Sequence, residues 1–169
     1  MSDSSILREL LDYEPSSGIF KWRERASGRL PFNKVGARAG FLGPSGYRYI
    51  KFHRKSYSEH VLAYEITHGP VPNGIEIDHV NGIRVDNRIV NLRLATNQQN
   101  SANSKIRKNN KSGLKGAYRR NSNNGMCWQA TITVKKKAIY LGIFSSKEEA
   151  HAAYLNAAKK HFGEFARAE

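Results

Sequence analysis

A chain of 169 residues has room for one or two small domains, or three very small modules, each with a modest core. Its 28 Lys and Arg against 14 Asp and Glu give a net charge of +14, which suits a polyanionic partner, nucleic acid first among them. The one cysteine, Cys127, excludes an internal disulfide framework and any multi-cysteine zinc cluster, and no run of about 18 apolar residues offers a membrane span.

In chain order, the start Met-Ser-Asp-Ser-Ser lacks a basic and an apolar region of the secretory kind, so a cytoplasmic protein is expected. Ser5 to Leu11 reads as a short helix ending before Glu14-Pro15-Ser16-Ser17-Gly18. Gly18 to Arg23 and Tyr47 to Phe52 alternate apolar with basic residues, the pattern of half-buried strands, and the Gly-rich stretch between them reads as loops or short strands. His60 to His68 predicts a helix stopped by Gly69-Pro70. Ile75 to Asn103 predicts a strand, a loop and a helix. The tract Asn103 to Ser112, rich in Lys, Arg and Asn, has too little apolar content for a core and reads as a linker. Beyond it, Gly116 to Arg120, Cys127 to Val134 and Ala138 to Leu141 predict three strands, with Lys135-Lys136 at a tight turn. A helix capped by Ser145 or Ser146 follows, carrying Ala150, Ala153, Tyr154, Ala157 and Ala158 at helical spacing.

Charge is unevenly placed. No carboxylate lies between Asp86 and Glu148, while Lys and Arg accumulate there, and Glu76, Asp78 and Asp86 cluster around His79. Phosphodiester hydrolysis needs a base to activate water, a hard cation to neutralise charge on the phosphate, and groups holding both in register. The run Asp78-His79-Val80-Asn81-Gly82, then Asn87, Asn91-Leu92-Arg93 and a later Asn100, offers all three. Adjacent strand residues point in opposite directions, so Asp78 and His79 serve one site only if the strand ends or bends there. Asn81-Gly82 supplies such an ending.

From Tyr57 to Asn103 the chain resembles the HNH endonucleases, in particular the phage and intron-associated homing branch. The resemblance implies that His79 is the general base and that Asp78 and Asn100 bind the metal. It places Asn91 at the middle position, hydrogen-bonding loop backbone, with Asn87 supporting the same loop. The last letter of the motif is Asn here rather than His; one Asp and one Asn leave most of the shell to water and phosphate, which suits Mg²⁺, with Mn²⁺ as substitute, and fits zinc poorly. Arg84, Arg88 and Arg93 are taken as DNA contacts. His60 is open between packing and a role in the site.

From Gly113 to Phe165, with Gly113 to Arg120, Trp128 to Ile132 and Tyr140 to Phe144 carrying the likeness, the chain resembles the plant ethylene-response-factor (Apetala-type) DNA-binding domain. That resemblance implies a three-stranded antiparallel sheet in the major groove, backed by a helix. Independently, Trp128, Ala130, Ile132 and Val134 alternate with Gln129, Thr131, Thr133 and Lys135, so the first set should pack under the helix and the second face outward. Lys115, Tyr118, Arg120, Gln129, Thr131, Thr133 and Tyr140 are the base-contact candidates. Arg119 and the turn Lys135, Lys136 and Lys137 are phosphate contacts.

Together these readings predict an α+β protein: a strand-rich, DNA-contacting region over residues 1–56, a ββα-metal nuclease over 57–103, a basic linker over 104–112 and an Apetala-type reader over 113–169. The function expected is site-selective, metal-dependent cleavage of double-stranded DNA by a homing endonuclease in a bacterial or phage-infected cell. As a monomer it would nick and as a homodimer cut both strands. The rival is a non-enzymatic DNA-binding regulator built on a relic HNH fold.

Overall fold

The structure is a computed structural model that describes residues 3–23, 35–106, 109–122 and 125–168. It has two compact units, residues 1–95 and 96–169. The fold is α+β, built of small sheets and four α-helices among the described residues. No helix there is long and apolar enough to cross a membrane.

The first unit opens with α1 (Asp3–Leu10), which runs directly into β1 (Leu11–Glu14), and β1 pairs antiparallel with β2 (Ile19–Trp22) around the Pro15 to Gly18 turn. A three-stranded sheet follows, β3 (Phe41–Leu42), β4 (Arg48–Phe52) and β5 (Lys55–Ser58), in the order β3-β4-β5. The β4–β5 turn holds His53 and Arg54 at φ of 44° and 65°, the left-handed pair that a two-residue hairpin requires. Next come α2 (Glu59–His68) and β6 (Ile75–His79), which pairs with β7 (Leu92–Thr96) after a 3-10 turn at Ile89–Asn91. The sequence reading has no counterpart for β1 or β5, and it expects the second strand of the ββα segment without placing it at β7. β1 and β5 are four residues each, and what defines them is pairing with β2 and β4.

One core joins all of this. Leu7, Leu11, Phe20, Trp22, Ala39, Ile50, Phe52, Leu62, Ala63, Ile77 and Leu92 form a single buried cluster running from α1 to β7. Residues 1–56, expected as a region apart from the nuclease segment, thus share its interior. The alternation in β2 and β4 is real, and its apolar face meets α2 and β6 rather than a core of its own.

The second unit begins with α3 (Asn97–Asn103), capped by Thr96: its hydroxyl accepts from the Gln99 amide, and the Gln99 side chain answers at the Thr96 backbone. Then β8 (Ala117–Ser122), β9 (Gly125–Val134) and β10 (Lys137–Phe144) form an antiparallel sheet with β9 central, and α4 (Lys147–Phe162) packs across all three strands. Ser146 caps α4 through the Glu149 amide. Ala130 and Ile132 are buried and pack toward the helix, as the alternation predicts, with Ala117, Ala150 and half-buried Trp128 beside them. Lys135 and Lys136 have φ of 49° and 64° and close the β9–β10 hairpin. Of the expected linker, residues 107 and 108 lie outside the described residues. The rest has neither helix nor strand past Asn103, and the Asn110 side chain gathers it by accepting from the Ser112 and Gly113 amides. The boundary between units falls between Ala95 and Thr96, ahead of α3, so the helix assigned by sequence to the nuclease segment clusters with the second unit.

Candidate active site

β6 ends at His79, and the last three residues of the strand, Ile77, Asp78 and His79, are all buried. Strand pairing persists one step further through the Val80 amide, which donates to the Asn91 carbonyl. The chain then leaves the strand at Asn81-Gly82. The termination that Asp78 and His79 need in order to serve one site is therefore present.

Asn91 ties the strand end to the loop through its side-chain amide. Its Oδ1 accepts from the Asn81 amide at 3.0 Å and its Nδ2 donates to the Asp86 carbonyl at 2.8 Å, so one buried amide fastens both ends of the loop. Asp86 adds a second tie. It accepts from Asn81 Nδ2 and from two nitrogens of Arg88, and these hydrogen bonds, Arg88 foremost, hold its carboxyl down at about 2. Asp86 thus stays ionised across any working pH.

Asn87 differs from its expected role as loop support. It is fully buried, and its side chain turns away from the loop: Oδ1 lies 3.1 Å from His79 Nε2, while Nδ2 donates to Glu59 Oε2 at 3.1 Å. Glu59, the first residue of α2, is itself fully buried and receives Arg48 Nε at 3.0 and 3.1 Å on its two oxygens. Burial pushes the Glu59 carboxyl upward, and Arg48 and the Asn87 amide pull it back.

The N-terminal hairpin fixes the Asn87 backbone. The Tyr13 hydroxyl, whose pKa burial raises to about 12, donates to the Asn87 carbonyl at 2.8 Å, and the Ile89 amide donates to the Pro15 carbonyl. Gly18, at φ 71°, is pressed so close that a Cβ there would lie 2.5 Å from Arg88 N. Gly40 plays the same part for Glu59, since a Cβ at Gly40 would overlap Oε1. Nothing in the sequence pattern singles out Tyr13, Gly18, Gly40, Arg48 or Glu59. Each lies outside the motif and acts through a neighbour, and a glutamate opening a helix reads as an ordinary dipole partner.

The three arginines assigned to DNA have protein partners. Arg93 Nε donates to Asp78 Oδ2 at 3.0 Å in a largely buried ion pair, Arg88 grips Asp86 while half exposed, and Arg84 donates to the Ser45 carbonyl with its guanidinium 4.9 Å from the Tyr47 ring centre. Asn100 lies in α3, in the second unit, and is partly exposed.

Two more rings line His79. Tyr47 and His60 have centroids 5.9 and 5.1 Å from its ring, and His60 Nδ1 is buried without a hydrogen bond. Burial lowers His79 below the usual histidine range, and burial with His79 alongside lowers His60 from 6.5 to about 3. Both rings are neutral near pH 7. Because the unfolded chain binds these protons more readily than the native one, stability is complete above about 6.5 and is lost as pH falls toward 3. Thermal melting of His60→Phe should show a flatter decline over this window than the unsubstituted protein. An equal decline would mean that His60 carries none of it.

In the second unit, Tyr118 and Tyr140 are exposed on the sheet face away from α4, and the register places Gln129 opposite Tyr118, Cys127 opposite Arg120 and Thr131 opposite Tyr140 on that same face. Arg120 also donates to Gln129. Two candidates fall elsewhere. Arg119 pairs in register with Trp128 and so belongs to the helix side of edge strand β8. Lys115 turns inward, its Nζ donating to the carbonyls of Ala102 and Arg167, and burial lowers it to about 8. These two carbonyls engage the ammonium that charge alone would assign to DNA.

Comparison with known proteins bears on residues around this site. A family model described as HNH endonuclease matches residues 57–102. The chain is 38% identical over 91 residues to Protein 3.8 of Escherichia phage T7, which spans 50% of this chain and 74% of that protein. It is 32% identical over 127 residues to an uncharacterized HNH endonuclease of Acanthamoeba polyphaga mimivirus, spanning 75% of this chain and 64% of that one. No solved structure matches. With the Asp78-His79 strand end and the Asn91-fastened loop inside the matched segment, this chain belongs to the HNH endonuclease family and is a nuclease.

Proposed function

We propose that the protein hydrolyses phosphodiester bonds of double-stranded DNA at selected sites, as a homing endonuclease whose second unit grips the duplex. The observation that carries this reading is the buried Asp78-His79 strand end, with a neutral imidazole held by Asn87, in a chain of net charge +14. A neutral histidine is the protonation state a general base needs at physiological pH. His79 takes the proton of the attacking water, Asn91 keeps strand end and loop in register, and Arg93 balances the buried Asp78 charge.

Among the described residues no three His, Cys, Asp or Glu side chains gather as a metal cage. Asp78 as ligand, with Asn100 as the second ligand that the family resemblance implies, is an all-oxygen set that fits a hard cation keeping most of its water. Mg²⁺, with Mn²⁺ as substitute, would neutralise charge developing on the phosphate and the leaving oxygen. One such motif gives one active site, so a monomer nicks and a dimer cuts both strands.

The sheet backed by α4 supports an Apetala-type reader over 113–169, with Tyr118, Arg120, Gln129, Thr131, Thr133 and Tyr140 toward the bases and the Lys135 to Lys137 turn on the phosphates. Substitution tests this better than truncation at Lys111, which would cut the Lys115 tie to Ala102 within the second unit. Lys135→Asn, Lys136→Asn and Lys137→Gln together should weaken binding. They should also flatten the dependence of affinity on salt by roughly one unit of slope for each phosphate that the turn no longer neutralises. Equal affinity and slope across several salt concentrations would remove the turn from the interface.

A further inference from the structure

The amide of Asn87 stands between two buried groups of fixed character. Glu59 presents oxygens to it, and an ionised carboxylate only accepts, so the NH₂ end of Asn87 must turn toward Glu59 Oε2 at 3.1 Å. That leaves Oδ1 facing His79 Nε2 at 3.1 Å. An amide oxygen also only accepts, so Nε2 must carry the proton. A neutral imidazole protonated on Nε2 holds its lone pair on Nδ1.

Arg48 secures the first link, since its Nε is shared between both Glu59 oxygens and favours the ionised carboxyl. All three side chains in the sequence Glu59, Asn87, His79 are buried, so water cannot easily substitute for a missing partner. The space for this chain of groups is built in. Gly40 leaves room for Glu59 Oε1, and Gly18 with Tyr13 holds the Asn87 backbone.

We propose that Glu59 is a positioning residue of the nuclease: acting through Asn87, it selects the His79 tautomer whose Nδ1 accepts the proton of the attacking water. The proposal rests on His79 being the general base, and it adds which ring nitrogen works and what chooses it. Glu59 does not touch substrate. Its contribution is the polarity of the Asn87 amide, which without the carboxylate is free to turn either end toward His79.

Long-range ¹H–¹⁵N correlation of the His79 imidazole in the metal-free, full-length protein at neutral pH reads the tautomer directly. Protonation on Nε2 is expected, and protonation on Nδ1 overturns the proposal whatever any variant does. Glu59→Gln keeps the shape but can present either end of an amide. It should give a mixed tautomer signal and lower the nicking kcat about 10- to 100-fold, the usual effect of removing a partner that orients a ligand, with KM for plasmid unchanged. An unchanged tautomer and kcat in Glu59→Gln also overturns it. The two readings separate cleanly: normal nicking by His79→Ala removes the general base, whereas an Nδ1-protonated ring in an enzyme that needs His79 removes only the positioning role of Glu59. Should Glu59→Gln fail to fold around Arg48, the measurement on the unsubstituted protein still decides.

Discussion

His79→Ala is expected to lower plasmid nicking by about 10²- to 10⁴-fold while leaving DNA affinity nearly intact, the usual span for removal of a general base. The split follows from burial. His79 is 4% exposed and lies against Tyr47 and His60, so it adds little to a surface that meets DNA, yet it sits at the strand end beside Asp78. Its depressed pKa keeps it neutral near pH 7, and activity should therefore hold through neutral pH and fall only under acid conditions, when the ring takes up a proton. Gel-shift affinity and initial nicking rates, measured on the same preparations, check both halves. Undiminished nicking would show that another group takes the proton.

Removing the divalent cation should abolish nicking outright, and Asp78→Ala should do the same without EDTA. Asp78 is a nearly fully buried carboxylate that accepts from Arg93. Replacing it takes the carboxylate away from the Arg93 guanidinium as well as removing the proposed ligand, so the variant's melting temperature needs measuring beside its activity. Asp78→Asn separates the effects: it keeps the shape, lowers the charge, and should retain the fold while losing most of the activity. Mg²⁺ should restore the EDTA-treated protein, with Mn²⁺ as a weaker test of the same oxygen site. Rescue by zinc alone would contradict an oxygen donor set.

Much of this is readable in the chain because it depends on local spacing. The Asp78-His79 pair before Asn81-Gly82 marks a strand end, Asn91 marks a fastened loop, and the alternation around Ala130 and Ile132 sorts a sheet into two faces. Other features depend on distant partners, and nothing local marks them. Glu59 meets Asn87 across 28 positions and Tyr13 meets Asn87 across 74, so neither pairing has a periodic signature. Charge points Lys115 toward DNA, but charge does not reveal that two backbone carbonyls wait nearby for an ammonium. The strand β7 cannot be placed from its own residues because Leu92 to Thr96 does not alternate: Leu92 and Ala95 are buried while Leu94 is exposed, and pairing with β6 defines it.

The hairpin that presses Gly18 and Tyr13 against Asn87 makes the nuclease a poor cassette. The stretch that carries the family signature starts at residue 57, but the parts that hold its chemistry in place begin near α1. A transplant of residues 57–103 into another scaffold would carry the letters of the motif without the buttress behind Asn87 or the Arg48 that anchors Glu59. Recombination that moves this motif between proteins therefore has to move the first 95 residues as a block, together with α3, which carries the proposed ligand Asn100.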